Sequence, residues 1–257
     1  MTNKEYREHP GLSRSELFIL NKTPLHFKYA QEHPQEETDA LRFGTAVHTR
    51  VLEPAEFENR YAIYPKIDRR TKEGREQYSK WAYDAMKFGK RMLTEEESRQ
   101  IDEMAAMIET DPVARELLEG EHEQSFFWSD PDTGILCKCR PDCITEYNGI
   151  KYIVDYKTTD SCEPGHFERS CRKYGYRLQA GMYCEGLLQC RLQEYQFAFV
   201  AQEKKAPYAV RVYFCTPEFI AQGYDEFRTL LGLYNWCCVN NSWPGYDNNE
   251  LCGEEEK

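Results

Sequence analysis

The chain has 257 residues, enough for one full hydrophobic core or for one domain with an added lobe. Hydrophobic residues make up 40% of it and charged residues 30%, which is ordinary for a globular protein. The net charge of −11 argues against a generally basic protein that coats nucleic acid, although it leaves room for a local basic groove.

The first residues, MTNKEYREHPG, are charged and lack an apolar core, so we expect no signal peptide. No apolar run approaches the length of a membrane span, and we expect no membrane partner. All 11 cysteines lie from Cys137 onward, their number is odd, and no Cys-x-x-Cys pair occurs. We therefore interpret most of them as small buried residues in a reducing cytoplasm, not as a disulfide framework or a metal site.

Residues 1–120 are predicted to form a mostly helical part of the chain. Ser13 and Glu16 have the spacing of a capping box that begins an amphipathic helix, and Pro24 marks the first turn of a second one. The polar segment 31–38 indicates a loop. Residues 41–52 then repeat apolar side chains at helical spacing, with Gly44 and His48 on one face. A lone His on a helix is more often a structural hydrogen-bonder than a metal ligand.

The segment Lys66–Arg75 carries five basic residues among ten and has the composition of a turn. It is either a solvated loop or a loop that grips phosphates through Arg69, Arg70 and Lys72. Two helices are predicted after it, over 78–92 and 94–108. A shorter helix follows from Asp111 to about Gly120.

Strands are predicted from residue 121 onward. Glu121–Ser129 is the first, and Glu121 and Glu123 share one face of it. Ile135–Tyr147 is the second, and it carries Asp142 with Lys138 and Arg140 on the same face. These two cations either hold phosphate oxygens or balance nearby carboxylates.

The strongest local signal is Asn148-Gly149, which joins two strand-like segments as a hairpin because both residues accept positive φ. Alternate residues of a strand share a face, so Asp155 and Lys157 point one way while Val154 and Tyr156 point the other. Asp142 lies on the partner strand and reaches the same spot. Two carboxylates and an ammonium there predict a divalent-cation site, and hard carboxylate oxygens suit Mg²⁺. Taken alone, an Asp and a Lys two residues apart are often only a solvated face.

After the hairpin we predict a short helix over 167–173 and a longer one over 176–188, on which Gln179 and Tyr183 share a face. Antiparallel strands over 194–202 and 208–215 follow, and then a helix over 217–236 with an apolar stripe. The sheet-containing part is thus placed at 121–247. The tail 248–257 is acidic and polar, and we expect it to be disordered.

Three short motifs stand in a fixed order along the chain: Gly44-x-x-x-His48, then Pro141-Asp142 with Asp155-Tyr156-Lys157, then Gln179-x-x-x-Tyr183. Together they resemble the PD-(D/E)xK nuclease superfamily in its RecB-like, RecE-like and lambda-exonuclease branches. The phrases FGTAVHTRVLEP, LCKCRPD and IVDYKTT are most similar to the RecE-type exonuclease domain (exonuclease VIII). The resemblance spans nearly the whole chain. It implies an α/β fold with a restriction-endonuclease-like core, in which a mixed central sheet is flanked by helices, and a helical N-terminal lobe.

The resemblance also implies roles for individual residues. Mg²⁺, or Mn²⁺ in its place, would be bound by carboxylates and an imidazole, and the small Gly44 would let its helix pack close. Lys157 would orient or deprotonate the attacking water. Gln179 and Tyr183 would hold the lysine, the scissile phosphate or nearby DNA. The expected metal ligands are His48, Asp142, Asp155 and an acid of the first strand, Glu123 or else Glu121. The expected DNA contacts are Arg140, Lys138, Arg69, Arg70 and Lys72.

The activity that the resemblance implies is metal-dependent degradation of duplex DNA from a 5′ end, which leaves a 3′ overhang. A single-strand annealing protein of the RecT type would be the partner, the enzyme would form a homo-oligomeric ring, and the setting would be phage or prophage recombination. Nothing before Cys137 could supply the distant cysteine of the superfamily's iron–sulfur members, so we expect no cluster. The alternatives are an endonuclease or flap nuclease of the same superfamily and a catalytically silent DNA-end-binding protein. The intact set of two acids and a lysine disfavours the silent binder.

Overall fold

The computed structural model of the protein describes residues 1, 3–33 and 38–246. The helices are α1 (Asn3–Glu8), α2 (Arg14–Leu20), α3 (Pro24–Glu32), α4 (Asp39–Leu52), α5 (Pro54–Arg60), α6 (Lys72–Lys87), α7 (Glu95–Thr110), α8 (Pro112–Leu117), α9 (Pro164–Tyr174), α10 (Tyr176–Arg191) and α11 (Pro217–Asn240). The strands are β1 (Tyr61–Tyr64), β2 (Arg91–Thr94), β3 (Glu121–His122), β4 (Phe126–Ser129), β5 (Leu136–Cys139), β6 (Cys143–Tyr147), β7 (Ile150–Thr159), β8 (Gln196–Glu203) and β9 (Val210–Phe214).

The central sheet has five strands in the order β3-β6-β7-β8-β9. β6 and β7 form the predicted hairpin, and both turn residues, Asn148 and Gly149, have positive φ. β7 pairs with β8 in parallel, which requires a crossover, and α9 and α10 supply it. β8 then pairs with β9 in antiparallel fashion. The predicted mixed sheet with flanking helices is therefore confirmed.

The two faces of β7 belong to two different cores. Ile153 packs in the core that includes side chains of α2, α3, α10 and α11. Val154 and Tyr156 pack in the other core, with side chains of α4, α7 and α8. The predicted alternation is confirmed, and it sets Asp155 and Lys157 on the face of Ile153.

The N-terminal helices form layers on the sheet. Leu17, Leu20 and Phe27 of α2 and α3 lie in the same core as α10 and α11. The prediction of a mostly helical part did not include a small parallel pair, β1 with β2, in which Tyr61 lies opposite Arg91. The division of the chain at residue 120 stays a prediction.

Two predicted strands are each broken in the middle. The second splits into β5, which pairs with β4, and β6, which pairs with β7. Pro141 lies between them, and because proline has no N–H to donate to a ladder, the chain changes sheets there. The first splits into β3 and β4 at Glu123, whose φ is 51°. The two breaks lie side by side, since Glu123 N donates to Asp142 O at 3.1 Å.

Helix α10 is held in place by a close crossing with α11. A Cβ at Gly181 would stand 2.1 Å from the carbonyl carbon of Gly223, and a Cβ at Gly223 would stand 2.0 Å from the carbonyl oxygen of Arg177. Only glycine permits two backbones to approach this closely. The crossing therefore fixes the position from which α10 presents Gln179 and Tyr183.

Several expectations concern the remaining parts of the chain. Of the ten cysteines among the described residues, none forms a disulfide and six are buried, as expected. Within the same residues, no helix has both the length and the apolar character that a bilayer span requires. The predicted tail 248–257 and residues 34–37 of the predicted loop lie outside the described part of the chain.

Candidate active site

A cleft of about 600 Å³ opens where the two strand breaks meet β7, α4 and the first turn of α2. Its lining includes seven of the predicted site residues: His48, Glu123, Lys138, Arg140, Asp142, Lys157 and Tyr183. Asp155 and Gln179 are buried behind them, at 2% and 3% exposure. The fold thus brings together side chains that are up to 135 positions apart, from His48 to Tyr183.

Asp142 lies directly before the first hairpin pair, Cys143 with Val154, and so comes beside Asp155. Its Oδ2 accepts a hydrogen bond from Tyr156 N at 2.8 Å and stands 3.5 Å from His48 Nδ1. Burial, and then the negative charge of Asp155, raise the pKa of Asp142 well above its usual value. A cation bound between the two carboxylates would relieve this repulsion.

Asp155 uses its two carboxylate oxygens differently. Oδ1 accepts a hydrogen bond from Gln179 Nε2. Oδ2 forms an ion pair with Lys157 Nζ but accepts no well-directed hydrogen bond from the described residues. The Lys157 ammonium compensates the charge of this buried oxygen, and a carboxylate oxygen that makes a single contact keeps a lone pair with which to bind a further ligand.

His48 projects from α4, and its ring packs edge-on against Tyr156 with the centroids 5.0 Å apart. Burial lowers the pKa of His48 to about 4, so the imidazole is neutral at pH 7. A neutral ring nitrogen is the form that binds a metal ion. Gly44 also lines the cleft, but a Cβ there would meet only Thr158 Oγ1, at 3.8 Å. The expectation that close helix packing requires Gly44 is therefore wrong.

Lys157 places its ammonium at the edge of the cleft, beside Asp155 and 4.8 Å from the centroid of the Tyr176 ring. The ring face attracts the cation and restrains the side chain. The lysine is therefore held next to both carboxylates by its own strand and by the start of α10.

Gln179 has a partner that the sequence did not indicate. It was expected to hold the lysine, a phosphate or DNA, yet its amide donates to Asp155 and its Oε1 accepts from Arg14 Nη2 at 3.0 Å. Sequence analysis missed Arg14 as a site residue, because its contact joins positions 165 apart and leaves no local pattern. Tyr183 lines the cleft, and burial raises its pKa, so the phenol stays neutral.

Of the two first-strand acids, Glu123 lines the cleft, whereas Glu121 turns to Arg191, with Oε2 2.7 Å from Nη2. Glu123 already has a cationic partner, since its Oε2 lies 2.6 Å from Arg140 Nε. Burial raises the pKa of Glu123. Arg140 also donates to Ser125 Oγ at 2.9 Å. Because it pairs with Glu123, it balances a local carboxylate, which is one of the two roles expected for it.

Lys138 is buried, and its ammonium donates to three carbonyl oxygens at the end of α1 and just after it. The acceptors are Tyr6 O at 3.1 Å, Arg7 O at 3.2 Å and His9 O at 2.5 Å. An ammonium has three donors, so these bonds use all of them. The phosphate contact expected of Lys138 is therefore replaced by a latch that holds α1 against the cleft. The shared face with Asp142 does not form, because the strand is broken between them.

The basic segment after β1 stands apart from the cleft lining. Arg69 and Arg70 lie exposed in a turn and Lys72 begins α6. The Arg69 guanidinium lies 4.6 Å from the centroid of the Tyr78 ring. Their contact with DNA stays a prediction.

The residues of the cleft fit a divalent cation, although no three His, Cys, Asp or Glu side chains of the described residues already form a ligand cluster. The fit depends on the two adjacent carboxylates, the raised pKa of Asp142, and a neutral imidazole 3.5 Å from Asp142. Oxygen ligands with one imidazole suit Mg²⁺ or Mn²⁺. The Lys157 ammonium supplies the nearest positive charge to these acids.

Comparison with known proteins gives a family and a fold. A family model described as "PDDEXK-like domain of unknown function (DUF3799)" matches residues 13–255. No curated protein matches the chain. Among solved structures, a candidate exonuclease from Eubacterium rectale, determined at 2.19 Å, is 16% identical with a TM-score of 0.62, over 97% of this chain and 96% of that one. The crystal structure of SSO0001 is 14% identical over 86% of this chain and 90% of that one, but its TM-score of 0.29 is too low to indicate a common fold.

The fold and the site together define the class as that of the PD-(D/E)xK nucleases, which generally use divalent metal ions. Within that class, the chain belongs to the DUF3799 family of PDDEXK-like domains.

Proposed function

We propose that the protein is a metal-dependent exodeoxyribonuclease that removes nucleotides from the 5′ end of one strand of duplex DNA. The observation that carries this proposal is the convergence of Asp142, Lys157 and a neutral His48 in the lining of one cleft, with Asp155 directly behind them and paired with Lys157. A structural ion pair has no need of a second carboxylate beside the first. Metal-assisted phosphodiester hydrolysis does need such a set.

The cleft residues would share the chemistry as follows. Asp142, Asp155 and His48 would hold Mg²⁺, or Mn²⁺ in its place. When bound, the ion supplies stabilisation of phosphate charge and a water of lowered pKa. Lys157 would orient the attacking water and lie against the charge that develops on the phosphate. Glu123 is paired with Arg140 through Oε2 and would add negative charge beside the ion.

The N-terminal segment supports action at a DNA end. Asn3, Tyr6 and Arg7 form one wall of the cleft, and Lys138 latches them in place. A walled cleft of about 600 Å³ suits a single strand entering by its end better than an uninterrupted duplex. The solved structure most similar in fold among those described above is that of a candidate exonuclease, which agrees with this interpretation.

The remaining parts of the proposal come from the resemblance of the motifs to RecE-type exonucleases. They are the 5′-to-3′ direction, the 3′ overhang, a RecT-type annealing partner, and a ring of identical subunits whose combined basic surfaces track the duplex. Contacts to phosphates would make cleavage independent of base sequence and sensitive to salt.

The deciding experiment compares linear duplex with closed circular DNA of the same sequence, in Mg²⁺, with either the 5′ or the 3′ ends labelled. We expect the linear form to release its 5′ label as mononucleotides or short products, while the circle survives. Cutting of the circle would indicate an endonuclease. Retention of both labels, together with a shifted band in a binding assay, would indicate a catalytically silent end-binding protein.

A further inference from the structure

Arg14 is the first residue of α2, and its guanidinium joins two other helices. Nη1 donates to the carbonyl oxygen of Tyr174, the last residue of α9, at 3.0 Å. Nη2 donates to Gln179 Oε1, in the first turn of α10, also at 3.0 Å. The planar fork of an arginine holds two acceptors in a fixed relation, which a lysine cannot do. Arg14 is therefore fixed relative to the start of α10.

The contact determines which way the Gln179 amide faces. A guanidinium can only donate hydrogen bonds, so Arg14 requires the carbonyl end of the amide. The NH₂ end is then turned toward Asp155 Oδ1, where it donates a hydrogen bond. The opposite orientation would set the amide oxygen against a carboxylate and the NH₂ group against a cation. Both contacts would be repulsive.

The orientation of Gln179 in turn determines which oxygen of Asp155 faces Lys157 at the edge of the cleft. Because Oδ1 is occupied by Gln179, the carboxylate cannot rotate freely, and Oδ2 stays turned toward Lys157. Metal-binding carboxylates are commonly held in this way by hydrogen bonds from residues that do not touch the metal.

We propose that Arg14 is a positioning residue for the metal site, which acts through Gln179 to hold Asp155 Oδ2 in the orientation that accepts a divalent cation. The inference rests on the proposed function for the presence of that cation. Arg14 also lines the cleft, so a direct contact with a DNA phosphate is the competing role. The two protein acceptors that already occupy Nη1 and Nη2 favour positioning.

The test is calorimetric titration of Mn²⁺ into the full chain without DNA. Wild type is compared with Arg14→Met, Arg14→Lys, Gln179→Leu and the double variant Arg14→Met/Gln179→Leu. The matched control is Arg177→Met, since Arg177 also makes a fork, to Glu226 and Gln222 on α11. Circular dichroism and thermal unfolding report whether each variant is folded.

We expect Arg14→Met to weaken Mn²⁺ binding by about 10-fold or more, the usual effect of removing a residue that orients a ligand. Arg14→Lys keeps the charge but not the fork, so we expect it to weaken binding as well. The double variant should bind no more weakly than Gln179→Leu alone, because Arg14 acts through Gln179. Arg177→Met should bind Mn²⁺ as wild type does.

Three results would overturn the inference. One is unchanged Mn²⁺ binding by Arg14→Met with a loss of DNA affinity and a shallower salt dependence, which would make Arg14 a phosphate contact. Another is a lowered melting temperature with unchanged Mn²⁺ binding, which would make its role structural. The third is a double variant whose affinity for Mn²⁺ falls by the product of the two fold-changes of the single variants. Failure of the wild-type protein to bind Mn²⁺ would also overturn the inference about Arg14. A wild-type protein that binds Mn²⁺ but does not cleave DNA would contradict only the proposed function.

Discussion

Among the described residues, two buried carboxylates are paired with cations, and only one of the pairs is complete, in the sense that no further acid without a cationic partner lies beside it. Asp130 is 1% exposed and Asp155 is 2% exposed. Asp130 accepts hydrogen bonds from Thr133 N at 2.9 Å and Thr133 Oγ1 at 2.7 Å on one oxygen, and pairs with Arg228 on the other. Asp155 pairs with Lys157, but its Oδ2 lacks a well-directed donor and a second carboxylate, Asp142, lies beside it.

The pKa values express the same difference. Burial alone would raise the pKa of Asp130, but the hydrogen bonds from Arg228 and Thr133 outweigh it and lower the pKa. At Asp142, burial and the charge of Asp155 together outweigh Lys157, and the pKa is raised well above the usual value. The pair at Asp130 stabilises the fold, whereas the cluster at Asp155 stores repulsion that a bound cation can relieve.

The largest expected effect is the loss of cleavage on removing the lysine of the incomplete cluster. Lys157→Ala should lower the cleavage rate by about 10²–10⁴-fold, because it removes the ammonium that orients the attacking water beside the two carboxylates. The rate is measured with linear duplex in Mg²⁺. Lys151→Ala is the matched control on the same strand, where Lys151 Nζ donates to Gln193 Oε1 at 2.8 Å. Near-normal cleavage by Lys157→Ala would mean that the site has been misassigned.

Substitution in the complete pair, Asp130 with Arg228, should lower the stability of the protein and leave its cleavage activity unchanged. Asp130→Ala should lower the free energy of unfolding by about 3 kcal/mol, since it removes a satisfied buried carboxylate and leaves Arg228 with one partner fewer. Chemical denaturation measures this loss. Cleavage at a temperature where the variant is folded should match wild type, and Asp132→Ala, at a largely exposed acid, should cost far less. A specific loss of cleavage in folded Asp130→Ala would break the distinction between the two pairs.

A substitution that relieves the stored repulsion should stabilise the metal-free protein. Asp142→Asn keeps an acceptor for Tyr156 N but removes one of the two adjacent charges. In EDTA at pH 8 we expect its free energy of unfolding to rise by about 1 kcal/mol or more, because a pKa raised by burial and a like charge opposes the ionised form. Cleavage in Mg²⁺ should be lost.

The sign of this effect follows from the direction of the pKa shift. An acid whose pKa is higher in the folded than in the unfolded protein binds its proton more tightly when folded, so its ionisation destabilises the fold above the unfolded pKa. The advantage of Asp142→Asn over wild type should therefore shrink as the pH falls toward 4. An equal advantage at both pH values, or none at pH 8, would contradict the electrostatic account.

The smallest effect is expected at exposed cations far from either pair. Substitution of Arg69, Arg70 and Lys72 by Ala should leave unfolding unchanged and weaken DNA binding, with a slope against log[salt] smaller by about 0.9 for each phosphate that is no longer neutralised. A control triple variant removes Lys28, Arg115 and Arg172, each of which is paired with a Glu four residues away. If DNA binding by the two variants has the same slope against log[salt], the basic segment is a solvated loop that does not contact DNA.

Local features of the fold and site could be predicted from sequence. The Asn148-Gly149 turn, the alternation along β7 and the helical spacing of His48 and Tyr183 depend on neighbours a few residues away. Side-chain direction along a strand or helix follows from its period. The hairpin and the two faces of its second strand could therefore be inferred from the residues themselves, whereas the mixed sheet was implied by the resemblance of the ordered motifs to a known superfamily.

The partners of long charged side chains were decided only by the tertiary structure. Lys138 was expected to face a phosphate and instead holds the backbone of α1, while Arg14 was overlooked and reaches Gln179. The strand breaks at Glu123 and Pro141 likewise depend on the pairing of strands in the folded protein, because β5 pairs with β4 whereas β6 pairs with β7. Sequence period sets the direction of a side chain, but which group lies at its far end depends on elements that pack together from more than 100 residues away.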